Sequence, residues 1–137
     1  MILLVRHASA SDRDAWEEDD RLRPLDERGR RQATELAGLL APYRFERVLS
    51  SPALRCVETI EPLALARGLT IEVRDELSEE RQSLDGPAFV RSLFDVDAVL
   101  SCHGGLSEAV CGESQKKGEA LVLEGTTVVA RLRAKKG

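Results

Sequence analysis

Histidine is scarce in this chain, with two among 137 residues, and aromatic side chains make up only 4%. No basic stripe is interleaved with those few aromatics, so the stacking platforms used to bind nucleic acid are not expected. The formal net charge of -4 gives no overall pull toward nucleic acid or anionic membranes, although a cleft on an acidic protein can still be positive. The cysteines number three, and Cys56, Cys102 and Cys111 have neither CxxC spacing nor a clustered set of histidines. That argues against a disulfide scaffold and for a reducing compartment. Long apolar runs are missing too. The opening MILLVRHAS stops at Arg6, too early for a signal-peptide core or a bilayer span, so no membrane association and a cytoplasmic location are the expectations. Asp12, Asp14, Glu17, Glu18, Asp19 and Asp20 form an acidic stretch without the turn glycine and ligand order of a calcium loop. No metal and no cofactor are therefore expected.

What is present fits one globular domain over residues 1–137, with 42% hydrophobic residues for a core and 32% charged residues for a solvated surface. Ile2 to Val5 reads as a strand buried on both faces, the pattern of a parallel sheet covered by helices. Ser9 to Arg23 has no sustained period and reads as loop or irregular helix. Asp26 is a predicted N-cap for a helix with Ala33, Leu36, Ala37 and Leu40 on its apolar stripe, ending before Pro42. Arg47 to Ser50 is a predicted second strand, followed by Ser51 as cap and Pro52 at the first helical position. The next helix places Val57, Ile60, Leu63 and Ala64 inward and ends near Gly68. A third strand is predicted over Leu69 to Val73, then a short helix through Phe89, Val90, Leu93 and Phe94, and a fourth strand over Asp97 to Ser101. Leu106 to Cys111 allows a brief helix, Leu121 to Leu123 and Thr127 to Leu132 a terminal hairpin, and Lys135 to Gly137 a frayed end. Strands alternating with helices predict a three-layer α/β/α sandwich around a mostly parallel sheet.

Both histidines follow a buried-type strand immediately, and open parallel sheets bind ligands at the carboxyl ends of their strands. His7 ends the first strand and His103 the fourth. Arg6 can share a site with His7 only if the backbone bends, which the small Ala8 and Ser9 permit. Arg55 falls in the first turn of the second helix, where free backbone N–H groups also face an anion. Taken singly, each has an ordinary reading as a surface or satisfied polar residue. Together, two guanidinium groups and two imidazoles on one rim form a receptor for a tetrahedral dianion. The arginine charges would also keep an attacking imidazole unprotonated.

Several ordered segments resemble a known family. Leu4-Val5-Arg6-His7-Ala8 resembles the opening motif of the histidine phosphatase superfamily, which includes the cofactor-dependent phosphoglycerate mutases. Arg23-Pro24-Leu25-Asp26-Glu27-Arg28-Gly29 with Gln32-Ala33 resembles the entry to its first helix. Leu49-Ser50-Ser51-Pro52, Arg55-Cys56 and Glu58-Thr59 resemble its second motif, and Ser101-Cys102-His103-Gly104 its third. The resemblance runs from residue 2 to about residue 105. The Arg21 to Leu25 stretch and Leu77-Ser78-Glu79-Glu80 are similar to the short SixA-like phosphohistidine phosphatases and to the phosphatase-like domain of some Nudix proteins. It implies a phosphoglycerate mutase-like fold and a transiently phosphorylated His7, with Arg6, Arg55, His103 and Gly104 on the phosphoryl group. One departure is Ala8, where the family usually has glycine. The short stretch 81–97 implies a minimal cap and an open site.

A leaving oxygen needs a proton, and Glu76, Glu79 and Glu80 compete to supply it. The family's leucine-any-glutamate pattern falls on Leu77-Ser78-Glu79, which makes Glu79 the preferred acid. Ser9, Ser11 and Arg13 are further candidate phosphate contacts, and Arg21 and Arg23 candidate entrance residues. The expected activity is metal-independent hydrolysis of a phosphomonoester or phosphohistidine, in a phosphorylated small molecule or a phosphoprotein. The alternatives are a catalytically silent phosphate- or phosphopeptide-binding module and a phosphomutase, and the short cap argues against the last because a mutase must exclude water. Substrate identity and oligomeric state are not encoded in any of these features.

Overall fold

Residues 2–5 are apolar at every position because the strand they form is covered on both faces. The computed structural model describes residues 1–135. Strand β1 (Ile2–Arg6) is followed by a 3-10 turn at Asp20–Leu22, helix α1 (Glu27–Leu39), β2 (Arg47–Ser50), α2 (Leu54–Arg67) and β3 (Ile71–Val73). A second 3-10 turn at Asp75–Leu77 leads to α3 (Gly86–Arg91), β4 (Ala98–Cys102), α4 (Leu106–Cys111), β5 (Glu119–Glu124) and β6 (Thr127–Arg133). The six strands lie in the order β3-β2-β4-β1-β5-β6. The first four in that row pair in parallel, and β5 and β6 are added antiparallel.

Alternation along β1 divides the core into two layers. Leu3 and Val5 pack with Leu36 and Leu40 of the α1 side and with Ile60, Leu63 and Ala64 of α2. Ile2 and Leu4 face the other way, onto Leu77, Val90, Leu93 and Leu106. Helices thus cover both faces of the sheet, the three-layer sandwich expected from the strand–helix order. Between β3 and β4 only a 3-10 turn and one short helix intervene, so no helical cap is built over the strand ends.

Local signals explain most boundaries. Asp26 caps α1 by accepting the Gly29 N–H at 2.7 Å. Gly68, left-handed at φ 65°, ends α2. Gly29 has a different role: a Cβ there would come within 1.8 Å of the Ser9 carbonyl oxygen, so the loop can lie on α1 only because residue 29 lacks one. Some expectations shift. Ser51 is not the cap of α2; Ala53 holds that position and Pro52 precedes the helix. The Ser51 hydroxyl meets His103 at 2.8 Å and reaches the helix entry only as far as the Ala53 N–H, at 3.3 Å. Val57 is half-buried, while Cys56 and Thr59 take the innermost positions. Of the expected frayed end, Lys136 and Gly137 lie outside the described residues, and the Lys135 N–H donates to Glu35 at 2.9 Å.

Candidate functional site

The register of the sheet brings the two histidines together. Arg6 pairs with Cys102 across β1 and β4, so His7 and His103 leave adjacent strand ends side by side. Their rings meet edge to face with centroids 5.7 Å apart. The His7 N–H extends the ladder to the Cys102 carbonyl at 3.0 Å, which fixes the backbone where it departs from the sheet.

His7 is 5% exposed and its Nδ1 lies 2.8 Å from the Ala8 carbonyl oxygen. A carbonyl only accepts, so Nδ1 carries the ring proton and Nε2 keeps its lone pair. Burial is the main reason the imidazole resists a second proton; the Ala8 hydrogen bond opposes it, and His103, Arg55 and Arg6 add to it, so that the pKa falls from 6.5 to about 3. Ala8 fills the position usually held by glycine without strain, because no non-glycine residue among those described has positive φ.

Arg6 donates from Nη1 to the Gln115 carbonyl at 2.6 Å. Gly104 packs against its guanidinium so closely that a Cβ would sit 2.9 Å from Cζ. Arg55 is 1% exposed and is held by the Asp20 carbonyl at 2.9 Å, the Asp20 carboxylate at 3.1 Å and Glu79 at 3.5 Å. The Nε atoms of Arg6 and Arg55 are buried with no partner in the protein, the kind of donor that an oxyanion satisfies. His103 contacts the Ser51 hydroxyl through Nε2 at 2.8 Å and Arg55 through Nδ1 at 3.4 Å. Because a guanidinium only donates, this arrangement makes Nδ1 the acceptor and Nε2 the donor. Burial, then Arg55, depress its pKa to about 4, with Glu79, Glu80 and Asp20 opposing.

A cavity of about 590 Å³ opens from His7 and Arg6, lined also by Ser11, Arg13, Arg23 and Gly104. Arg55 and His103 border a narrow adjoining cleft, and Glu79 is a wall of both. Glu79 has 43% of its side chain exposed and pairs with Arg13 at 3.2 Å, so a carboxylate stands at the mouth between two guanidinium groups. Glu80 pairs instead with Arg21 at the surface, 3.4 Å away, and lines only the cleft. Glu76 lines neither.

Other candidates are placed differently. Ser9 is not among the cavity-lining residues: its hydroxyl donates to Asp26 at 2.7 Å, because the loop turns it onto the cap of α1. Arg23 lines the cavity but is 5% exposed, drawn inward by the Ser11 carbonyl at 2.6 Å and Asp20 at 3.0 Å. Arg21 is exposed and borders the cleft rather than the cavity. Four contributors carry no prediction from sequence. Asp20 joins Arg13, Arg23 and Arg55. Gln82 ties the third motif down by donating to the Gly104 carbonyl at 2.8 Å. Gln115 donates to the Leu4 carbonyl at 2.7 Å while its own carbonyl holds Arg6. Lys117 lines the cavity, its pKa lowered first by burial and then by Arg6 and Arg23. The run Gln115-Lys116-Lys117-Gly118 before a strand was the available signal for the last two. Among the described residues, no three His, Cys, Asp or Glu side chains converge as a metal site.

Comparison with known proteins bears on this geometry. The model of the histidine phosphatase superfamily (branch 1) matches residues 2–88. An 8-oxo-(d)GTP phosphatase of Mycolicibacterium smegmatis is 37% identical over 95 residues, which are 69% of this chain. The match spans 30% of that relative's length. A SixA protein of Agrobacterium tumefaciens, assigned as a phosphohistidine phosphatase, has a TM-score of 0.81 at 28% identity, covering 96% of each chain. The protein histidine phosphatase SixA complexed with tungstate has a TM-score of 0.76 at 24% identity over 97% of this chain and 96% of that one, a likeness of fold.

Proposed function

Since this chain belongs to the histidine phosphatase superfamily, we propose that its strand-end cavity hydrolyses phosphomonoesters or phosphohistidine without a metal, through a phosphorylated His7. The observation that carries this reading is the hydrogen bond from His7 Nδ1 to the Ala8 carbonyl, which places the one proton of the buried, neutral ring on Nδ1 and leaves the Nε2 lone pair free. A neutral imidazole is the nucleophilic form, and its burial keeps it so.

In the first step Nε2 attacks phosphorus in line, forming the P–N bond as the P–O bond to the leaving group breaks. Arg6 and Arg55 hold the non-bridging oxygens, where charge is redistributed in the transition state, and His103 joins them when the phosphoryl group draws Arg55 from Nδ1 and a proton onto that nitrogen. The leaving oxygen takes a proton carried in by the substrate as its monoanion and passed on by Glu79, which stands at the mouth of the cavity. In the second step water attacks phosphorus, its proton passes to the Glu79 carboxylate, and the P–N bond breaks to restore neutral His7 and free phosphate. A phosphohistidine substrate makes less demand on the acid, because an imidazole can leave already protonated. Arg13, Ser11 and Lys117 line the outer cavity and are positioned to meet the remainder of the substrate.

Both a phosphoprotein and a small phosphorylated molecule fit an uncapped site. The SixA likeness supports the first, and the phosphatase of M. smegmatis adds nucleotides to the compounds worth assaying. The deciding experiment measures phosphate release from phosphohistidine protein, nucleotides and sugar phosphates, with acid quenching to trap an acid-labile phosphoenzyme. Release and trapping in the wild type, both lost in a folded His7→Ala, are expected. Anion binding with neither would identify a silent binding module instead.

A further inference from the structure

Two buried side chains outside the cavity hold the two peptide units that flank Ala8. Thr59 on α2 is 1% exposed and Gln32 on α1 is 3% exposed, and the hydrogen bond of the His7 ring goes to the Ala8 carbonyl rather than to either of them. The Ala8 N–H donates to the Thr59 hydroxyl at 2.9 Å. The Ser9 N–H donates to Gln32 Oε1 at 2.9 Å. That second peptide unit also contains the Ala8 carbonyl, the acceptor of the His7 Nδ1 proton. A peptide group is planar and trans, so the direction of its N–H sets the direction of its C=O. Gln32 therefore aims the carbonyl that selects the tautomer of His7.

Thr59 fixes the other side. Its single proton goes to the Arg55 carbonyl at 2.7 Å, so its oxygen faces Ala8 as an acceptor only. The hydroxyl thereby links the backbone that carries Arg55 to the backbone that follows His7. Gln32 is itself backed by Gly118, left-handed at φ 75°, where a Cβ would meet its amide at 3.5 Å. The Gly118 N–H in turn lies 3.1 Å from the His7 carbonyl. Helices α1 and α2 thus each send one polar side chain to one of the two peptide units that flank Ala8.

We propose that Gln32 and Thr59 are positioning residues that keep His7 in the Nδ1-protonated tautomer by clamping the peptides on either side of Ala8. This rests on His7 being the nucleophile. A tie that only joined helix to loop could use the same two acceptors, but removing them would then leave the tautomer of the ring unchanged.

The test uses protein labelled with 15N at histidine, which contributes two residues and hence a simple spectrum. Gln32→Leu and Thr59→Val remove the acceptors at near-constant volume, and Thr59→Ser retains one. The wild type and Thr59→Ser are expected to show His7 protonated at Nδ1, while Gln32→Leu and Thr59→Val show mixed tautomers. Phosphoenzyme formation should fall roughly 10- to 100-fold in those two. Affinity for inorganic phosphate should be unchanged, because Arg6, Arg55 and His103 remain. A wild-type tautomer in Thr59→Val and Gln32→Leu would overturn the proposal, as would a rate loss that Thr59→Ser shares in full. Should Gln32→Leu fail to fold, the Thr59 pair decides by the same comparison. If the wild type forms no phosphoenzyme, the nucleophile reading fails, and the tautomer measurement still decides the positioning role.

Discussion

Arg55 and Glu79 meet at 3.5 Å, a fully buried guanidinium nitrogen against a carboxylate half open to solvent. The two ends of this contact have different work in the proposed reaction, and they separate by leaving group. Glu79→Gln keeps the shape and removes the proton. Turnover of an alkyl phosphate should fall on the order of 10²- to 10³-fold, while a nitrophenyl ester or phosphohistidine is much less affected. Rates plotted against leaving-group pKa should therefore steepen in the variant; an unchanged slope would remove Glu79 from the role of acid.

Arg55 itself is expected to matter more for rate than for fold. Arg55→Lys retains the charge but loses the fork that reaches Asp20 and a phosphoryl oxygen together. A drop of about 10²-fold or more in kcat/KM is expected. The stability cost should be smaller, about 1–3 kcal/mol, because both acidic partners are close to half exposed and solvate readily once released. Denaturant melts run beside steady-state kinetics separate the two effects.

His7→Ala should abolish trapped phosphoenzyme and reduce turnover on the order of 10⁴-fold or more. Its circular dichroism should match the wild type, since the strand pairing around residue 7 uses backbone groups. Residual turnover at the wild-type level in a single-turnover assay would move the nucleophile elsewhere.

Acid should weaken the fold before any carboxylate titrates. The unfolded chain takes up a proton on each imidazole near pH 6.5, whereas the folded chain accepts them only at about 3 for His7 and about 4 for His103. Unfolding therefore takes up protons between those values. Stability is complete above 6.5, falls as pH drops through the window, and levels off below the folded values. From about pH 6.5 to pH 5 these two residues alone account for histidine titration, and carboxylates contribute little. A melting temperature that is flat across that interval would contradict the buried, neutral state of both rings. Activity follows a different course: the acid limb of kcat/KM should not titrate at 6.5, because His7 is already the free base well below it.

Elements governed by local chemistry were legible in the sequence. The unbroken apolar run of β1 announces burial on both faces, and Asp26 announces the start of α1, because a strand between two helical layers and a capped helix are each specified within a few residues. Arg6, His7 and His103 stood out because they stand at the ends of β1 and β4, and Arg55 because it lies in the first turn of the helix that follows β2, so that the fold itself aims all four at one edge. Loop residues were harder. Ser9 reads as a phosphate contact until Asp26 is seen to hold its hydroxyl. Arg23 reads as surface until the Ser11 carbonyl and Asp20 are seen to draw it inward. Gln115 reaches Arg6 across 109 positions, a separation at which no local pattern carries information. Ser51 misleads for a related reason: serine before proline is an ordinary helix start, and the sequence does not announce that its hydroxyl, besides accepting the Ala53 N–H, meets the distant His103.

The pairing of β1 with β4 has a consequence for how the chain acquires its chemistry. Arg6 and Cys102 are neighbours in space but stand at opposite ends of most of the sequence, so joining them requires closing a very long loop. Helices α1 and α2 lie between them and need no such closure to begin forming. Contacts of this separation carry a large entropic cost and tend to be established late. The two histidines can meet only after that closure, so a newly made or refolding chain would gain its helical content before it gained any capacity to handle phosphate. Partly folded chains would then be chemically silent rather than promiscuous.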